Sequence, residues 1–164
     1  MHDDHKHFEF LVLESMQAGL SWLTVLKKRE NFRRAFAGFD PRKVAEFDDA
    51  RVEELLTDAS IIRNRLKIQA AINNAHRFME VQQEFGSFDK YIWSFTNYRP
   101  IINSWQSLKE IPASTPLSDA LSRDLKKRGF KFVGTTIIYA HMQAIGMVND
   151  HLVSCFRYQQ TIAE

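Results

Sequence analysis

A basic turn that contains two glycines has the residue types needed to bind an anion. It lies in the stretch LKKRGFKFVGTTI, Leu125 to Ile137, where Gly129 and Gly134 enclose apolar residues. Because Gly134 precedes a predicted helix that begins near Thr135, the first amides of that helix are open to a ligand, and such amides favour negative charge. Lys131 and its basic neighbours add positive potential. This order is typical of a helix-hairpin-helix motif, which holds a DNA phosphate through backbone amides. A plain helical hairpin with a solvated basic end fits equally well.

A carboxylate and an indole flank a second turn, near the start of the sequence. Glu14 lies in an apolar helical pattern that ends near Gly19, and Trp22 follows Ser21, the predicted N-cap of the next helix. Glutamates on helices are usually solvated, but the neighbours of Glu14 one helical turn away are mostly apolar or small. Trp22 fits a core position, the wall of a binding site, or both.

A histidine and a cysteine four residues apart form a third candidate site. On a helix, the spacing of His151 and Cys155 puts both side chains on one face, as a zinc-binding pair requires. His141 is a poor candidate for a further ligand, because it lies ten residues from His151 across a predicted helix end.

The rest of the sequence predicts the helices that position these residues. The clearest apolar stripe, with helical spacing, runs from Ile68 to Met79. Two helices near Ser118 to Arg128 and Gly134 to Ile145 enclose the basic turn, and a mostly irregular connector from Pro100 to Pro116 precedes them. The other predicted helix starts are Ser21, Asp40, Asp48 and Ser87, and Gly146 is the predicted C-cap of the last helix. No alternating strand pattern is present, so the predicted fold is all-α.

Composition limits the class of protein. A length of 164 residues predicts a single domain, 1–164, and the 45% hydrophobic share is that of a globular chain. No apolar run approaches the roughly 18 residues of a membrane span, so we expect no membrane partner. A single cysteine excludes an internal disulfide and fits the cytoplasm. The net charge of +2 is too small to identify a nucleic-acid-binding protein by itself.

Five stretches, in this order, carry a resemblance to a known family. They are LESMQAGLSWLTVLKKREN, IIRNRLKIQAAINNA, SLKEIPASTPLSDAL, LKKRGFKFVGTT and MVNDHLVSC, within Phe8 to Cys155. With them the chain resembles the 3-methyladenine DNA glycosylase I family. The resemblance implies a helix-hairpin-helix enzyme, which we expect to be a monomer, that excises 3-methyladenine from alkylated double-stranded DNA.

The resemblance also implies roles for the residues of the N-terminal turn. The damaged nucleotide must be flipped out of the stack before a protein can enclose its base. Glu14 is implied to be the catalytic residue that hydrogen-bonds the flipped base, and Trp22 to form part of the pocket. Because 3-methyladenine in DNA is cationic, a carboxylate and an aromatic face both favour it. Gly19 and Leu20 are implied to approach the lesion, where an exposed leucine would fill the space left by the base; a buried leucine is the alternative.

Polar residues at the hairpin and elsewhere in the sequence are also expected to have defined roles. The DNA contacts implied at the hairpin are Lys131, Gly134 and Thr135. Arg63, Arg65 and Lys67 are expected to form a solvated basic face rather than to bind phosphates. Related glycosylases use an aspartate after the hairpin, but this family is regarded as lacking it. Asp150 is therefore interpreted as a cap or as support for the metal pair.

The zinc site is where the sequence departs from the family pattern. The family completes a structural zinc site, which includes the pair matching His151 and Cys155, with a cysteine and a histidine from an N-terminal segment. That segment is expected before Phe8 and is missing, and Met1 to His7 is expected to be a flexible tail without a metal-binding role. We therefore expect zinc to be absent or incompletely bound. Two other functions stay open: a catalytically impaired helix-hairpin-helix module that only binds DNA, and a metal-tethered scaffold without DNA contact.

Overall fold

Short polar side chains begin several helices at the positions that the sequence predicts. The hydroxyl of Ser21 and the carboxylates of Asp40 and Asp48 each accept a hydrogen bond from an amide in the first turn of the helix that follows, at 2.9 to 3.2 Å. Each satisfies an amide that has no partner inside its helix. Thr115 forms a capping box, so its helix begins at Pro116, slightly before the predicted start.

The computed structural model describes residues 1–163. Within that range the chain forms ten α-helices: α1 (Asp4–Gln17), α2 (Trp22–Lys27), α3 (Arg29–Ala35), α4 (Pro41–Ala45), α5 (Asp49–Thr57), α6 (Arg65–Phe85), α7 (Phe88–Ser94), α8 (Pro116–Lys127), α9 (Thr135–Ala144) and α10 (Phe156–Ala163). Two 3₁₀ helices, Ala37–Phe39 and Leu108–Glu110, and two strands, β1 (Ile101–Ile102) and β2 (Val148–Asn149), complete the secondary structure of these residues. None of the described helices is long and apolar enough to cross a membrane.

Helices α1 and α6 form the centre of the molecule. The predicted stripe of α6 faces inward, with Ile68, Ala71, Ala75 and Phe78 buried. The ring of Phe78 stacks on Phe88 of α7, with ring centroids 4.3 Å apart. Helix α1 packs against α6, α7 and α9. The predicted all-α class is confirmed, and the core brings the N-terminal helix next to the helix that follows the hairpin.

A pair of very short strands is the one departure from the helical pattern among the described residues. Ile101 pairs with Val148 and Ile102 with Asn149 in parallel register. The amide of Ile101 donates to the carbonyl of Met147 at 2.9 Å. Strands of two residues are too short to produce an alternating sequence pattern, so the sequence did not reveal them.

The N-terminal residues pack against the core, and the prediction of a flexible tail from Met1 to His7 is wrong. Helix α1 already begins at Asp4, and His7 is completely buried. The carboxylate of Asp4 accepts hydrogen bonds from the amides of Phe88 at 2.9 Å and Asp89 at 2.8 Å. These are the first two residues of α7, so the start of α1 caps a helix far along the chain.

We expect Asp4→Ala to lower the free energy of unfolding by about 1–3 kcal/mol, because two amides at the start of α7 lose their acceptor. Urea denaturation of variant and parent measures this difference. Asp49→Ala removes an exposed carboxylate from the first turn of α5 and is the matched control. It should change stability by about 0.5 kcal/mol or less. Equal stability of the two variants would show that the N-terminal turn does not stabilise the fold.

Candidate functional site

Glu14 is buried beside a histidine from a distant part of the chain. It lies in the last turns of α1 with 3% of its surface exposed, and its Oε2 lies 3.0 Å from Nδ1 of His141 in α9. Burial raises the pKa of Glu14, whereas the charge and the hydrogen bond of His141 oppose that rise. The expectation that Glu14 is not solvated is confirmed, and its catalytic role stays a prediction. His141 was not predicted as a site residue; the only signal for it is a polar residue within an apolar helix.

The turn between α1 and α2 exposes an apolar side chain. Gly19 has a φ of +79°, a backbone conformation that favours glycine, and Leu20 is 41% exposed. The alternative of a buried leucine is therefore wrong. Leu23 and Leu26 follow at three-residue spacing and are also exposed, which marks this edge as a candidate interaction surface. Trp22, the first residue of α2, is half-buried and packs against the core.

A buried lysine fixes the end of α1. Lys67 of α6 donates from Nζ to the carbonyl oxygens of Met16 at 2.8 Å and Ala18 at 2.5 Å. This cation satisfies carbonyls that the helix itself leaves unpaired, and burial lowers the pKa of Lys67. The prediction that Lys67 belongs to a solvated basic face is wrong. Arg65 is exposed, as expected, and pairs with Glu53 with a shortest N–O distance of 2.6 Å.

Two asparagines of α6 hold the hairpin between α8 and α9. Asn73 donates from Nδ2 to the carbonyl of Gly129 at 2.9 Å. Asn74 donates to the carbonyl of Lys131 at 2.9 Å and accepts from the amide of the same residue at 2.8 Å. Phe130, between these contacts, is buried in the core. The hairpin backbone is therefore fixed by α6, and sequence reasoning missed both asparagines.

The start of α9 leaves backbone amides available to an anion. Gly134 is the N-cap and provides no side-chain cap, and the amides of Thr135, Thr136 and Ile137 have no acceptor within residues 1–163. A Cβ added at Gly134 would meet nothing within 4 Å, so the approach to these amides is open. The hydroxyl of Thr135 is 2.8 Å from that of Ser118 in α8, which ties the two helices together. Such a helix start is suited to a phosphate group.

The positive charge around the hairpin comes from lysines rather than from Arg128. That arginine pairs with Glu84 at 2.7 Å and with Asp124 at 2.8 Å, and these contacts, led by the one with Glu84, raise its pKa. The exposed cations of this region are Lys126, Lys127 and Lys131. Arg128 belongs to the same basic stretch of the sequence, but its charge is already paired with carboxylates of the fold.

His151 and Cys155 are close in space, but they do not share a helix. His151 Nδ1 and Cys155 Sγ are 3.9 Å apart, in a turn closed by a 2.8 Å hydrogen bond from the Cys155 amide to the Leu152 carbonyl. Helix α10 begins only at Phe156, so the predicted helical face is wrong. Across residues 1–163, no group of three or more His, Cys, Asp or Glu side chains is arranged to hold a metal ion. A structural zinc ion requires four ligands, so the pair by itself does not fit one.

Asp150 acts as an acceptor inside the fold. Burial favours a higher pKa for Asp150, but hydrogen bonds donated by its neighbours outweigh burial and hold the pKa below its usual range. The donors, at 2.5 to 2.7 Å, are Asn103, Trp105, Tyr139 and Gln143. None of these donors is a backbone amide, His151 or Cys155, so the predicted roles of Asp150 as a cap or as support for the metal pair are wrong, and its carboxylate instead joins side chains inside the fold.

The fold and the hairpin define a helix-hairpin-helix protein of the all-α class. The methyladenine glycosylase family model matches residues 1–158, and the chain belongs to that family. It is 56% identical over 156 residues to DNA-3-methyladenine glycosylase 1 of Escherichia coli, covering 95% of this chain and 83% of that protein. It is 45% identical over 153 residues to DNA-3-methyladenine glycosylase of Haemophilus influenzae, covering 93% and 83%. A crystal structure of a variant 3-methyladenine DNA glycosylase I in complex with 3-methyladenine superposes with a TM-score of 0.93 at 36% identity, covering 95% of this chain and 84% of that one. The resemblance stated from the sequence is confirmed.

We expect Gly134→Val to weaken binding to damaged and undamaged double-stranded DNA alike, by about 10-fold or more, because its side chain stands over the free amides of α9. The backbone at Gly134, with a φ of −61°, accepts any residue, so thermal stability should be unchanged. Fluorescence anisotropy with both DNAs measures the affinity. Gly134→Ala adds a single methyl group and should cause a smaller loss. A valine variant that binds plain duplex at parental strength would contradict the assignment of the hairpin.

Proposed function

We propose that this chain is a DNA repair glycosylase that hydrolyses the N-glycosidic bond of 3-methyladenine in alkylated double-stranded DNA. Relatives named DNA-3-methyladenine glycosylase match almost the whole chain. The observation that carries the proposal is Glu14, a carboxylate held in the protein interior by His141 at the end of the helix that leads into the exposed Gly19–Leu20 turn. A buried carboxylate next to a surface turn is suited to a flipped, positively charged base.

The proposed chemistry depends mainly on selective binding. The hairpin amides hold a phosphate while the nucleotide rotates out of the stack. Leu20 fills the space that the base leaves. The cationic base then meets the carboxylate of Glu14 and the indole of Trp22, both of which favour it over neutral adenine. Because the lesion departs as a neutral base, its bond is already weak and little general-acid help is required.

The proposed enzyme acts on DNA as a single copy of the chain. Double-stranded DNA is the macromolecular partner, and one copy of the chain holds both the phosphate-binding amides and Glu14. We therefore propose that the enzyme acts as a monomer. The one cysteine, Cys155, is a free thiol in the structure, which fits the reducing cytoplasm.

Glu14→Gln tests the catalytic assignment. Glutamine keeps the size of the side chain but replaces a charged acceptor with a neutral one. We expect release of 3-methyladenine to fall by about 10-fold or more, in line with the roughly 1.5–3 kcal/mol of a charge-assisted hydrogen bond. Release of free base from methylated DNA under single-turnover conditions measures the effect.

The exposed Glu46 provides the control for that experiment, since Glu46→Gln makes the same change away from the buried site. It should leave the release rate unchanged. Parental activity in Glu14→Gln would remove the role assigned to Glu14. A parent protein that binds duplex DNA but releases no base would support the alternative of a module that only binds DNA.

We also propose that His151 and Cys155 do not retain structural zinc in this chain. Two donors 3.9 Å apart leave half of a tetrahedral site to water, and His141 is already buried against Glu14. Metal analysis of the purified chain should find zinc far below one ion per molecule, and a chelator should leave the thermal unfolding temperature unchanged. One zinc ion per chain that resists dialysis would overturn the proposal.

A further inference from the structure

Two buried histidines lie next to each other, and one of them contacts Glu14. His141 and His7 are both completely buried, and their ring centroids are 5.8 Å apart. Each ring uses one nitrogen: His141 Nδ1 faces Glu14 Oε2 at 3.0 Å, and His7 Nε2 faces Asp89 Oδ1 at 3.0 Å. The other nitrogens, His7 Nδ1 and His141 Nε2, have no hydrogen-bond partner among the described residues. Two unpartnered polar atoms in one buried cluster require an explanation.

The contacts of His7 determine which of its ring nitrogens carries the proton. Its Nε2 must carry a proton to donate to the Asp89 carboxylate. Burial, with the nearby His141 adding to it, lowers the pKa of His7 to about 4, although Asp89 opposes this. His7 is therefore neutral at physiological pH, and its Nδ1 is a bare acceptor close to the ring of His141.

We propose that His141 is a positioning residue: it donates from Nδ1 to Oε2 of Glu14 and so holds that group as a carboxylate, with Oε1 left for the flipped base. His7 packs beside the His141 ring and is itself held by Asp89, so the buried pair of rings keeps His141 in place. This inference rests on the proposed function, since it assigns His141 an effect only through Glu14.

Other charged groups around α1 are directed elsewhere. From α6, Lys67 donates to the carbonyls of Met16 and Ala18. From α3, Arg29 and Arg33 pair with Glu9, which also contacts Lys6. From α7, Asp89 contacts His7 and His2, while Asp4 caps the start of that helix. Unlike these groups, His141 shifts the pKa of Glu14 through its charge and its hydrogen bond.

The direction of the pH dependence follows from these contacts. The active form of Glu14 is the carboxylate, and burial makes it harder to ionise. His141 offsets part of that effect, so removing His141 raises the pKa of Glu14 further. The carboxylate is then lost at a higher pH as the solution is acidified, and the activity that depends on it is lost there too.

The decisive measurement is the pH profile of single-turnover 3-methyladenine release for the parent, His141→Phe and His141→Asn. Phenylalanine keeps a ring but donates nothing, so the acid limb should move up by about one pH unit or more. Its deficit should be about 10-fold or more on the acid limb of the parent profile and much smaller on the plateau at higher pH. Asparagine can donate from the position of Nδ1 and should restore much of the loss on the acid limb. A deficit that is equal at all pH values, with no rescue by asparagine, would make His141 merely structural and overturn the proposal.

A double variant separates this proposal from the function it rests on. If His141 acts through Glu14, adding His141→Phe to Glu14→Gln should cause no further loss of release. Additive losses would contradict the positioning role while leaving the role of Glu14 intact. Full activity of Glu14→Gln alone would instead remove the proposed function of Glu14.

Nitrogen-15 NMR of histidine-labelled parent protein provides a test that needs no variant to fold. We expect His141 Nδ1 to carry a proton wherever the Glu14 carboxyl carbon shows the shift of a carboxylate. A bare Nδ1 beside a protonated Glu14 near neutral pH would mean that the carboxylic acid donates to the ring, and would overturn the proposal.

Discussion

Helix α1 carries ionisable side chains through the middle of an apolar core, so each of them needs a partner on another element before the chain can fold. Glu9, with none of its surface exposed, pairs with Arg29 at 2.7 Å and with Arg33 at 3.0 Å. Glu14 lies 3.0 Å from His141 of α9. Leaving such a charge without its partner costs roughly 3–5 kcal/mol. The charges therefore select one rotation and one register of α1 among the helices around it, which apolar packing alone would specify less sharply.

The same constraint determines where the Gly19–Leu20 turn lies. His7 joins α1 to Asp89 of α7, and Lys67 of α6 holds the last carbonyls of the helix. Glu14 lies between these two attachments, so its carboxylate has a fixed position. Leu20 leaves the helix end from an equally fixed point. Sites held on rigid elements keep their geometry better than sites held on free loops, and here the rigidity comes from polar contacts on all sides of one helix.

The sequence predicts local features well and long-range partners poorly. The apolar neighbours of Glu14 predicted its burial, and the glycine before α9 predicted the hairpin. No pattern pointed to His141, because its contact joins residues 127 positions apart and depends on how two helices cross. The spacing of His151 and Cys155 is ambiguous in a different way: a helix and a tight turn both bring such residues together, and the chain uses the turn.

The distribution of charge explains how a chain with a net charge of only +2 is suited to DNA. Among the described residues, six arginines pair with carboxylates of the same chain, namely Arg29, Arg33, Arg51, Arg65, Arg77 and Arg128. In the proposed mode of binding, the phosphate contacts neutral amides at the start of α9, whose aligned dipoles favour an anion without any ionised side chain. At the other turn the polarity is reversed, because the buried carboxylate of Glu14 favours a cation. An alkylated nucleotide carries both signs, a negative phosphate and a positive base. Under the proposed function, the fold offers each of them an opposite partner on a different helix, which discriminates against an undamaged nucleotide that offers only the phosphate.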